Sequence, residues 1–311
     1  GVALLFPGQG SQHPGAVRQV YRAEPLFRRE LDRAAEVLAP VLPADLRSWL
    51  LAEPGDAEAA QELRATEIAQ PALVAVELAL ARLWASWGVV PEVVAGHSVG
   101  ELAAASVAGV MSFEEALLLA AERGRRMAEL PPGGMLAVPL GEVDLEPWLG
   151  PALDVAAYNT PSLSVVSGSA EEVDALAARL AAAGIESRRL HTSHAFHSRA
   201  MEPAVGPFEA AVARLALEPP SLPLLSGASG DWLTAEEAQD PATWSRQIRR
   251  PVRFAAVLER LAARPELVRV VLLLDKRRDK LADALALLPE TTPVLLADEA
   301  TMSEVVGFPI H

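Results

Sequence analysis

A serine flanked by glycines limits the fold more strongly than any other feature of the chain. The pentapeptide GHSVG at residues 96–100 follows an apolar run at 89–95 and precedes a segment of helical spacing that continues to Ala108. A strand that turns this sharply into a helix needs glycine on both sides, because the backbone leaves no room there for a Cβ. The turn lifts the Ser98 hydroxyl beyond the sheet, and the helix N-terminus behind it favours negative charge. The pattern predicts an α/β fold with Ser98 as a nucleophile.

The rest of the chain alternates short apolar runs with helical patterns, which is typical of α/β proteins. We predict a strand at 2–6, a helix at 25–38, a loop-rich connection at 39–65, a helix at 71–87 with Pro71 in its first turn, and a strand at 89–95. Ser112 and Glu115 have the spacing of a capping box and predict a helix that continues to about residue 130.

The sequence PPGG at residues 131–134 predicts an internal boundary. The patterns after it predict a β-α-β-β-α-β order, with strands at 135–139, 154–158, 164–168 and 185–190 and helices at 142–149 and 170–183. This order is typical of the ferredoxin-like arrangement. We therefore predict a larger α/β hydrolase-like domain, formed by residues 1–132 and 195–311, into which a small ferredoxin-like domain at 133–194 is inserted.

Composition excludes several classes of site and partner. The 311-residue chain has no cysteine, which excludes disulfides and thiolate chemistry, and its net charge of −14 disfavours nucleic acid as a partner. Charged residues interrupt its most apolar region at 73–95, and no basic leader precedes the first apolar run. We therefore expect no membrane span, no signal peptide and a cytoplasmic location.

A serine nucleophile needs a base to take its proton, and histidine is the usual one. The chain has six histidines, three of which lie in the heptapeptide HTSHAFH at 191–197. A metal site at this loop would need carboxylate or thiolate ligands, but the nearest acid, Glu202, is poorly placed and cysteine is absent. A single base from this loop is the better interpretation, although composition does not say which histidine it is.

Four separated motifs resemble those of a known family. They are FPGQGSQ at 6–12, GHSVG at 96–100, Arg123 within ERGRRM at 122–127, and HAFH at 194–197. In this order they are similar to the malonyl-CoA:acyl carrier protein transacylases, and most closely to the acyltransferase domains of modular polyketide synthases. The resemblance covers about residues 1–274. It implies a hydrolase-like α/β domain with a ferredoxin-like insertion.

The resemblance also implies a catalytic mechanism. Ser98 would be the nucleophile that becomes malonylated, and His197 its general base. The backbone amides of Gln9 and Val99 would form the oxyanion hole. Neither a metal nor a bound cofactor is implied, since malonyl-CoA is a substrate and phosphopantetheine belongs to the partner, an acyl carrier protein. Neighbouring polyketide synthase domains are expected as further partners.

Substrate-binding residues follow from the same resemblance. Arg123 would hold the free carboxylate of the malonyl group, which suits a guanidinium because its planar fork makes two charge-assisted bonds. Gln70, Asn159 and His97 match positions that line the pocket. Phe196 within HAFH, together with an aliphatic residue after the nucleophile, accompanies malonyl specificity. Enzymes that use methylmalonyl-CoA usually carry Tyr-Ala-Ser-His in place of HAFH, and a glutamine in the turn that holds the nucleophile.

The chain departs from the family pattern at two places. Residues 275–278 read DKRR where family members have an acidic residue followed by Val-Gly-Pro, in a loop beside the catalytic histidine. Tyr158 and Thr160 flank Asn159 where a small apolar residue and a glycine are more usual. These two side chains either reshape the pocket floor or repack it, and we favour repacking.

Two other functions use the same residues. A serine acyl hydrolase or editing enzyme needs only Ser98 and His197, but gains nothing from a buried guanidinium. A catalytically silent scaffold that docks carrier proteins is the second alternative, favoured only by the altered 275–278 loop. A basic cluster that includes Arg246, Arg249 and Arg250 is either a solvated helix face or the surface that receives the carrier.

Overall fold

The computed structural model describes residues 1–264 together with the backbone of 269–273 and 294–297. A five-stranded parallel sheet forms its centre, with the strand order β7-β2-β1-β8-β9. The strands are β1 (Val2–Phe6), β2 (Val93–Gly96), β7 (Leu224–Leu225), β8 (Arg269–Leu273) and β9 (Val294–Ala297). The apolar residues 3–6 and 93–95 are buried, as expected for parallel strands that helices cover on both faces. The predicted α/β fold is confirmed.

Helices surround this sheet. They are α1 (Arg18–Ala23), α2 (Pro25–Leu38), α3 (Leu46–Leu50), α4 (Ala57–Glu62), α5 (Thr66–Ser86), α6 (Gly100–Val107), α7 (Phe113–Ala128), α10 (Glu202–Val212), α11 (Ala235–Gln239), α12 (Pro241–Arg246) and α13 (Phe254–Ala262). The predicted bounds of α2 and the capping box that opens α7 are confirmed.

The connection at 39–65 is more ordered than predicted. It contains α3 and α4, which begin where Asp45 and Asp56 accept hydrogen bonds from backbone amides of the first helical turn. These side-chain caps satisfy amides that a short helix leaves without partners. Pro54 and Gly55, which favour a loop in the sequence, lie in the short connection between these two helices.

The predicted start of α5 is wrong. The helix begins at Thr66, five residues before Pro71, which therefore lies inside it. A proline there cannot donate to the Glu67 carbonyl, but close packing holds the first turn in place. A Cβ on Gly124 of α7 would lie 2.5 Å from the Thr66 carbonyl oxygen, so only glycine allows this contact. By length and composition α5 is apolar enough to cross a membrane, yet 89% of its most apolar window is buried inside the protein.

A second, antiparallel sheet has the order β4-β5-β3-β6. Its strands are β3 (Gly134–Val138), β4 (Asp154–Thr160), β5 (Leu163–Gly168) and β6 (Arg188–Arg189), with α8 (Glu142–Leu145) after β3 and α9 (Ala170–Ala182) after β5. This is the predicted β-α-β-β-α-β order. The helix predicted at 142–149 changes after Leu145 into a 3₁₀ turn that contains Pro147, and the strand predicted at 185–190 pairs only at 188–189. The division of the chain at residues 133 and 194 stays a prediction.

The two faces of the small sheet have different neighbours. Leu136, Val138 and Val166 belong to a small apolar cluster with residues of α9, whereas Met135 and Val165 belong to the core of the larger part. The alternation follows from the two-residue period of side chains in a strand. One face of the small sheet is thus turned toward the larger part of the protein.

The strand order of the large sheet indicates where a ligand crevice lies. The strand predicted at 89–95 begins only at Val93, after Pro91, which cannot donate to a ladder. Phe6 at the carboxyl end of β1 pairs with Gly96 at the carboxyl end of β2, while β8 lies on the other side of β1. Ligands of open α/β sheets bind beyond the carboxyl ends of strands where the order reverses in this way.

Candidate active site

The GHSVG turn has the geometry that its glycines predict. It joins β2 directly to α6, and Ser98 has a φ of 56°, in the left-handed region that non-glycine residues rarely adopt. A Cβ on Gly96 would lie 2.1 Å from the Glu101 amide nitrogen, and one on Gly100 would lie 2.3 Å from the Phe6 carbonyl oxygen. The tight contacts hold Ser98 at the tip of the turn.

His197 is the histidine of the 191–197 loop that reaches Ser98. Its Nε2 lies 2.7 Å from Ser98 Oγ, and its Nδ1 lies 2.9 Å from the Arg250 carbonyl oxygen. A carbonyl only accepts, so Nδ1 carries the proton and Nε2 is left free to accept from the serine hydroxyl. His197 also has a φ of 56°. The other two histidines of the loop do not make this contact: His194 Nε2 lies 2.9 Å from the Leu130 carbonyl oxygen, and His191 lines the cavity.

The surroundings of His197 keep it neutral. Burial, together with the positive charges of Arg123 and His97, lowers its pKa to about 3, while the carbonyls of Arg250 and Gln247 oppose the shift. A neutral imidazole is the form that can take a proton. Within residues 1–264 no group of three or more histidine, aspartate or glutamate side chains has the arrangement of a metal site.

Arg123 is a buried cation beside Ser98. The residue is 1% exposed, and its Nη2 donates to Ser98 Oγ at 3.1 Å while its Nη1 donates to Gln70 Oε1 at 2.7 Å. Its Nε is buried without an acceptor in the described part of the chain. Burial lowers its pKa to about 10, and the charge of Glu101 opposes this shift. A buried guanidinium with an unfilled donor is suited to an anionic ligand.

Hydrogen bonds connect Arg123 to the loop after β1. Gln70 Nε2 donates to Thr66 Oγ1 at 2.9 Å, and the Thr66 hydroxyl donates to Gln9 Oε1 at 2.9 Å. Thr66 was missed from the sequence, because the predicted helix began after it. The i, i+4 spacing of Thr66 and Gln70 on one helix face would have indicated the pair.

The backbone amides of Gln9 and Val99 are those that the family resemblance assigns to an oxyanion hole. Both residues line the same cavity as Ser98, and Val99 follows Ser98 and is the residue immediately before α6. Neither amide has an acceptor among the residues described. Unpaired amides at a cavity wall are available to a negatively charged oxygen.

The remaining predicted site residues line one cavity of about 580 Å³. His97 Nε2 lies 2.9 Å from Asn159 Oδ1, which joins the turn to β4 of the small sheet. Phe196 is 7% exposed and forms part of the cavity wall. Thr160 also lines the cavity, whereas Tyr158 packs beneath the Arg253 guanidinium, 5.4 Å from it. Repacking therefore accounts for Tyr158, and a changed cavity wall accounts for Thr160.

Residues 275–278, where the sequence departs from the family, lie outside the described residues. Among the described residues, the Arg250 carbonyl oxygen contacts His197 Nδ1, and Arg250 does not belong to the 275–278 segment. Within the basic cluster, Arg249 is an ion-pair partner of Asp154 and Glu202. Arg246 and Arg250 are exposed, and the described part of the chain offers neither of them an ion pair.

Comparison with known proteins identifies the family. The family model described as "Acyl transferase domain" matches residues 3–272. One polypeptide of the phenolphthiocerol/phthiocerol polyketide synthase of Mycobacterium tuberculosis is 40% identical over 269 residues, which are 86% of this chain but 18% of that protein. The chain thus spans less than a fifth of the length of this relative.

Solved structures of acyltransferase domains share the fold. The acyltransferase domain from the second module of the salinomycin polyketide synthase is 40% identical, with a TM-score of 0.85, over 95% of this chain and 68% of that one. The acyl transferase domain of SpnD, in complex with 2-(pent-4-yn-1-yl)malonyl, is 34% identical, with a TM-score of 0.87, over 96% of this chain and 70% of that one. The chain therefore belongs to the acyl transferase domain family and resembles the members found in polyketide synthases.

Proposed function

We propose that the protein transfers a malonyl unit from malonyl-CoA, through an ester on Ser98, to the phosphopantetheine thiol of an acyl carrier protein. One observation carries the proposal: a single oxygen, Ser98 Oγ, lies 2.7 Å from the nitrogen of a neutral histidine and 3.1 Å from a buried guanidinium. The first contact suits nucleophilic catalysis, and the second suits an acyl group with a free carboxylate.

In the first half-reaction Ser98 Oγ attacks the thioester carbonyl while its proton passes to His197 Nε2. The negative charge on the carbonyl oxygen is held by the amides of Gln9 and Val99. The C–S bond then breaks, the proton on His197 passes to the departing CoA thiolate, and a malonyl ester remains on Ser98. The Arg250 carbonyl keeps Nδ1 protonated and the ring oriented throughout.

The second half-reaction reverses this chemistry with a different thiol. His197 takes the proton of the phosphopantetheine thiol, whose sulfur attacks the ester carbonyl. The C–O bond to Ser98 breaks, and the serine oxygen recovers its proton from His197. Because CoA leaves before the carrier thiol reacts and the malonyl group remains on Ser98 between the two halves, the reaction follows a ping-pong course.

Arg123 favours transfer over simple hydrolysis. A hydrolase of neutral acyl chains gains nothing from a buried cation, whereas the negative charge of a malonyl carboxylate complements the buried Arg123 guanidinium at the cavity wall. Anchored in this way, the ester carbonyl has one orientation relative to an incoming thiol. A catalytically silent scaffold would not require a neutral His197 hydrogen-bonded to the Ser98 hydroxyl.

The choice of malonyl rests on Phe196 and Val99. Both residues line the cavity that contains Ser98, and a bulky ring with an aliphatic residue beside it would restrict the space at the α-carbon of the acyl group. A clash with a single methyl group is worth only about 1–3 kcal/mol. Phe196→Ser should therefore raise the methylmalonyl-to-malonyl ratio of Ser98 labelling by roughly tenfold or more, and an unchanged ratio would remove Phe196 from this role.

The carrier protein is expected to dock on a local basic surface, because carriers are generally acidic and the net charge of the chain is −14. Arg246 and Arg250 are the exposed arginines of the basic cluster, whereas Arg249 forms ion pairs with Asp154 and Glu202. Reversing the charge at Arg246 should raise the apparent KM for the carrier and leave self-malonylation unchanged. A KM for the carrier equal to that of the wild type would exclude this surface as the docking site.

The function is tested by following the malonyl group from malonyl-CoA to a holo acyl carrier protein by intact-protein mass spectrometry. We expect malonyl-carrier to form with the wild type and not with His197→Ala. Release of free malonate without malonyl-carrier would indicate the hydrolase. Absence of both products would indicate the silent scaffold.

A further inference from the structure

We infer that Asp154 is a positioning residue for the catalytic base, because its carboxylate joins the two segments that together hold His197. The inference rests on the proposed function, in which His197 takes the serine proton. Asp154 is the first residue of β4 in the small sheet, far in sequence from both segments, and no motif of the sequence includes it.

One of these segments follows His197 itself. Asp154 Oδ2 accepts from the backbone amide of Arg199 at 2.8 Å and from its Nε at 2.9 Å, while Oδ1 accepts from its Nη2 at 3.1 Å. Arg199 is two residues beyond His197, whose φ of 56° is unfavourable for a residue with a side chain. The three bonds fix the backbone immediately after this strained residue.

The other segment supplies the partner of His197. Asp154 Oδ1 also accepts from Arg249 Nη2 at 3.4 Å, and the next residue, Arg250, presents the carbonyl that lies 2.9 Å from His197 Nδ1. The Asp154 side chain is 14% exposed, so these charge-assisted bonds are partly shielded from solvent. The same carboxylate therefore sets the distance between the base and the oxygen that orients it.

The rest of β4 also contacts the segment that follows Arg250 and the turn that holds Ser98. The Val252 amide donates to the Ala156 carbonyl at 2.9 Å, and the Tyr158 amide donates to the Val252 carbonyl at 2.8 Å. Asn159, near the end of the strand, contacts His97, the neighbour of Ser98. One strand of the small sheet thus touches the segment after His197, the segment that carries the Arg250 carbonyl, and the nucleophile turn.

Loss of the carboxylate should loosen the His197–Arg250 contact without touching the acyl group. A displacement of about 1 Å in a catalytic group can slow a reaction by about a hundredfold. For Asp154→Ala we expect the rate of Ser98 malonylation at saturating malonyl-CoA to fall between about tenfold and a hundredfold. The KM for malonyl-CoA should stay unchanged, because Arg123 and Gln70 are intact.

A change in pH dependence separates positioning from a general loss of structure. The charged and titratable side chains that act on His197 are Arg123 and His97, and neither is changed by the substitution. If the loosened loop admits water, the pKa of His197 should rise toward its ordinary value of 6.5, and an acid limb should appear in the rate profile. The wild type should lack that limb.

The matched control is Asp174→Ala, which removes an ion pair between α9 and Arg189 of β6 in the same small sheet. We expect the control to keep the rate and the pH profile of the wild type. If Asp154→Ala does not fold, Arg199→Gln and Arg249→Gln, which each remove one partner at the surface, should slow malonylation and introduce the acid limb to lesser extents.

The inference is overturned if folded Asp154→Ala, or both arginine variants, malonylate at the rate and with the pH profile of the control. It is separable from the proposed function, because wild-type protein runs in the same assay. A wild type that forms no acyl-serine contradicts the function, whereas a wild type and a variant of equal activity contradict only the role of Asp154.

Discussion

Replacing Arg123 by methionine should separate recognition of the malonyl carboxylate from the chemistry at Ser98. Methionine retains much of the buried volume but neither the charge nor the donors. Each charge-assisted hydrogen bond is worth about 1.5–3 kcal/mol, so two bonds to a carboxylate contribute about 3–6 kcal/mol. This corresponds to a loss of roughly 10²- to 10⁴-fold in kcat/KM for malonyl-CoA.

The assay is quenched-flow acylation followed by intact-protein mass spectrometry, with malonyl-CoA and acetyl-CoA in parallel. Acetyl-CoA carries no carboxylate, so Arg123→Met should acylate with acetyl at the wild-type rate or faster. Arg125→Met is the matched control, because Arg125 is on the same helix but forms exposed ion pairs with Glu122 and Glu129. Equal losses for the two substrates would refute the carboxylate anchor and make Arg123 a general structural or electrostatic element.

Three further predictions follow from the site. The kcat/KM for Ser98 acylation should stay flat from about pH 5 to 8, since burial lowers the pKa of His197 to about 3, and an acid limb near 6.5 would contradict this environment. Burial raises the pKa of Glu101 to about 8, so its stabilising effect is complete below its ordinary value of 4.5 and is lost as the pH rises through about 8. Relative to Glu101→Gln, the wild type should lose up to about 1.4 kcal/mol of unfolding free energy per pH unit over that window, and a constant difference in denaturant titrations would exclude the shift. Gly100→Ala, whose Cβ would lie 2.3 Å from the Phe6 carbonyl oxygen, should lower the Tm and abolish acylation; normal activity would disprove the steric argument.

Local patterns predicted much of the fold because they report local chemistry. The GHSVG turn, the Ser112–Glu115 capping box and the strand alternation of the small sheet each depend on residues a few positions apart. The start of α5 was missed because Pro71 looks like a first-turn residue. Its true position is set by contact with Gly124, more than fifty residues away, which sequence periodicity does not report.

The site shows the same division between local and distant determinants. Sequence motifs predicted Ser98, His197 and Arg123 as site residues, and the structure places their three side chains together. The contact with the Arg250 carbonyl could not be predicted from the sequence, because every residue has a backbone oxygen. The role of Asp154 could not be predicted either, since its partners lie 45 and 95 residues further along the chain.

The most direct test of the central claim is intact-protein mass spectrometry after brief incubation with malonyl-CoA and methylmalonyl-CoA in competition, with Ser98→Ala alongside. We predict a single adduct with the mass of a malonyl group on the wild type and none on the variant. An adduct that persists on Ser98→Ala, or a wild type that stays unmodified while its fold is intact, would contradict it.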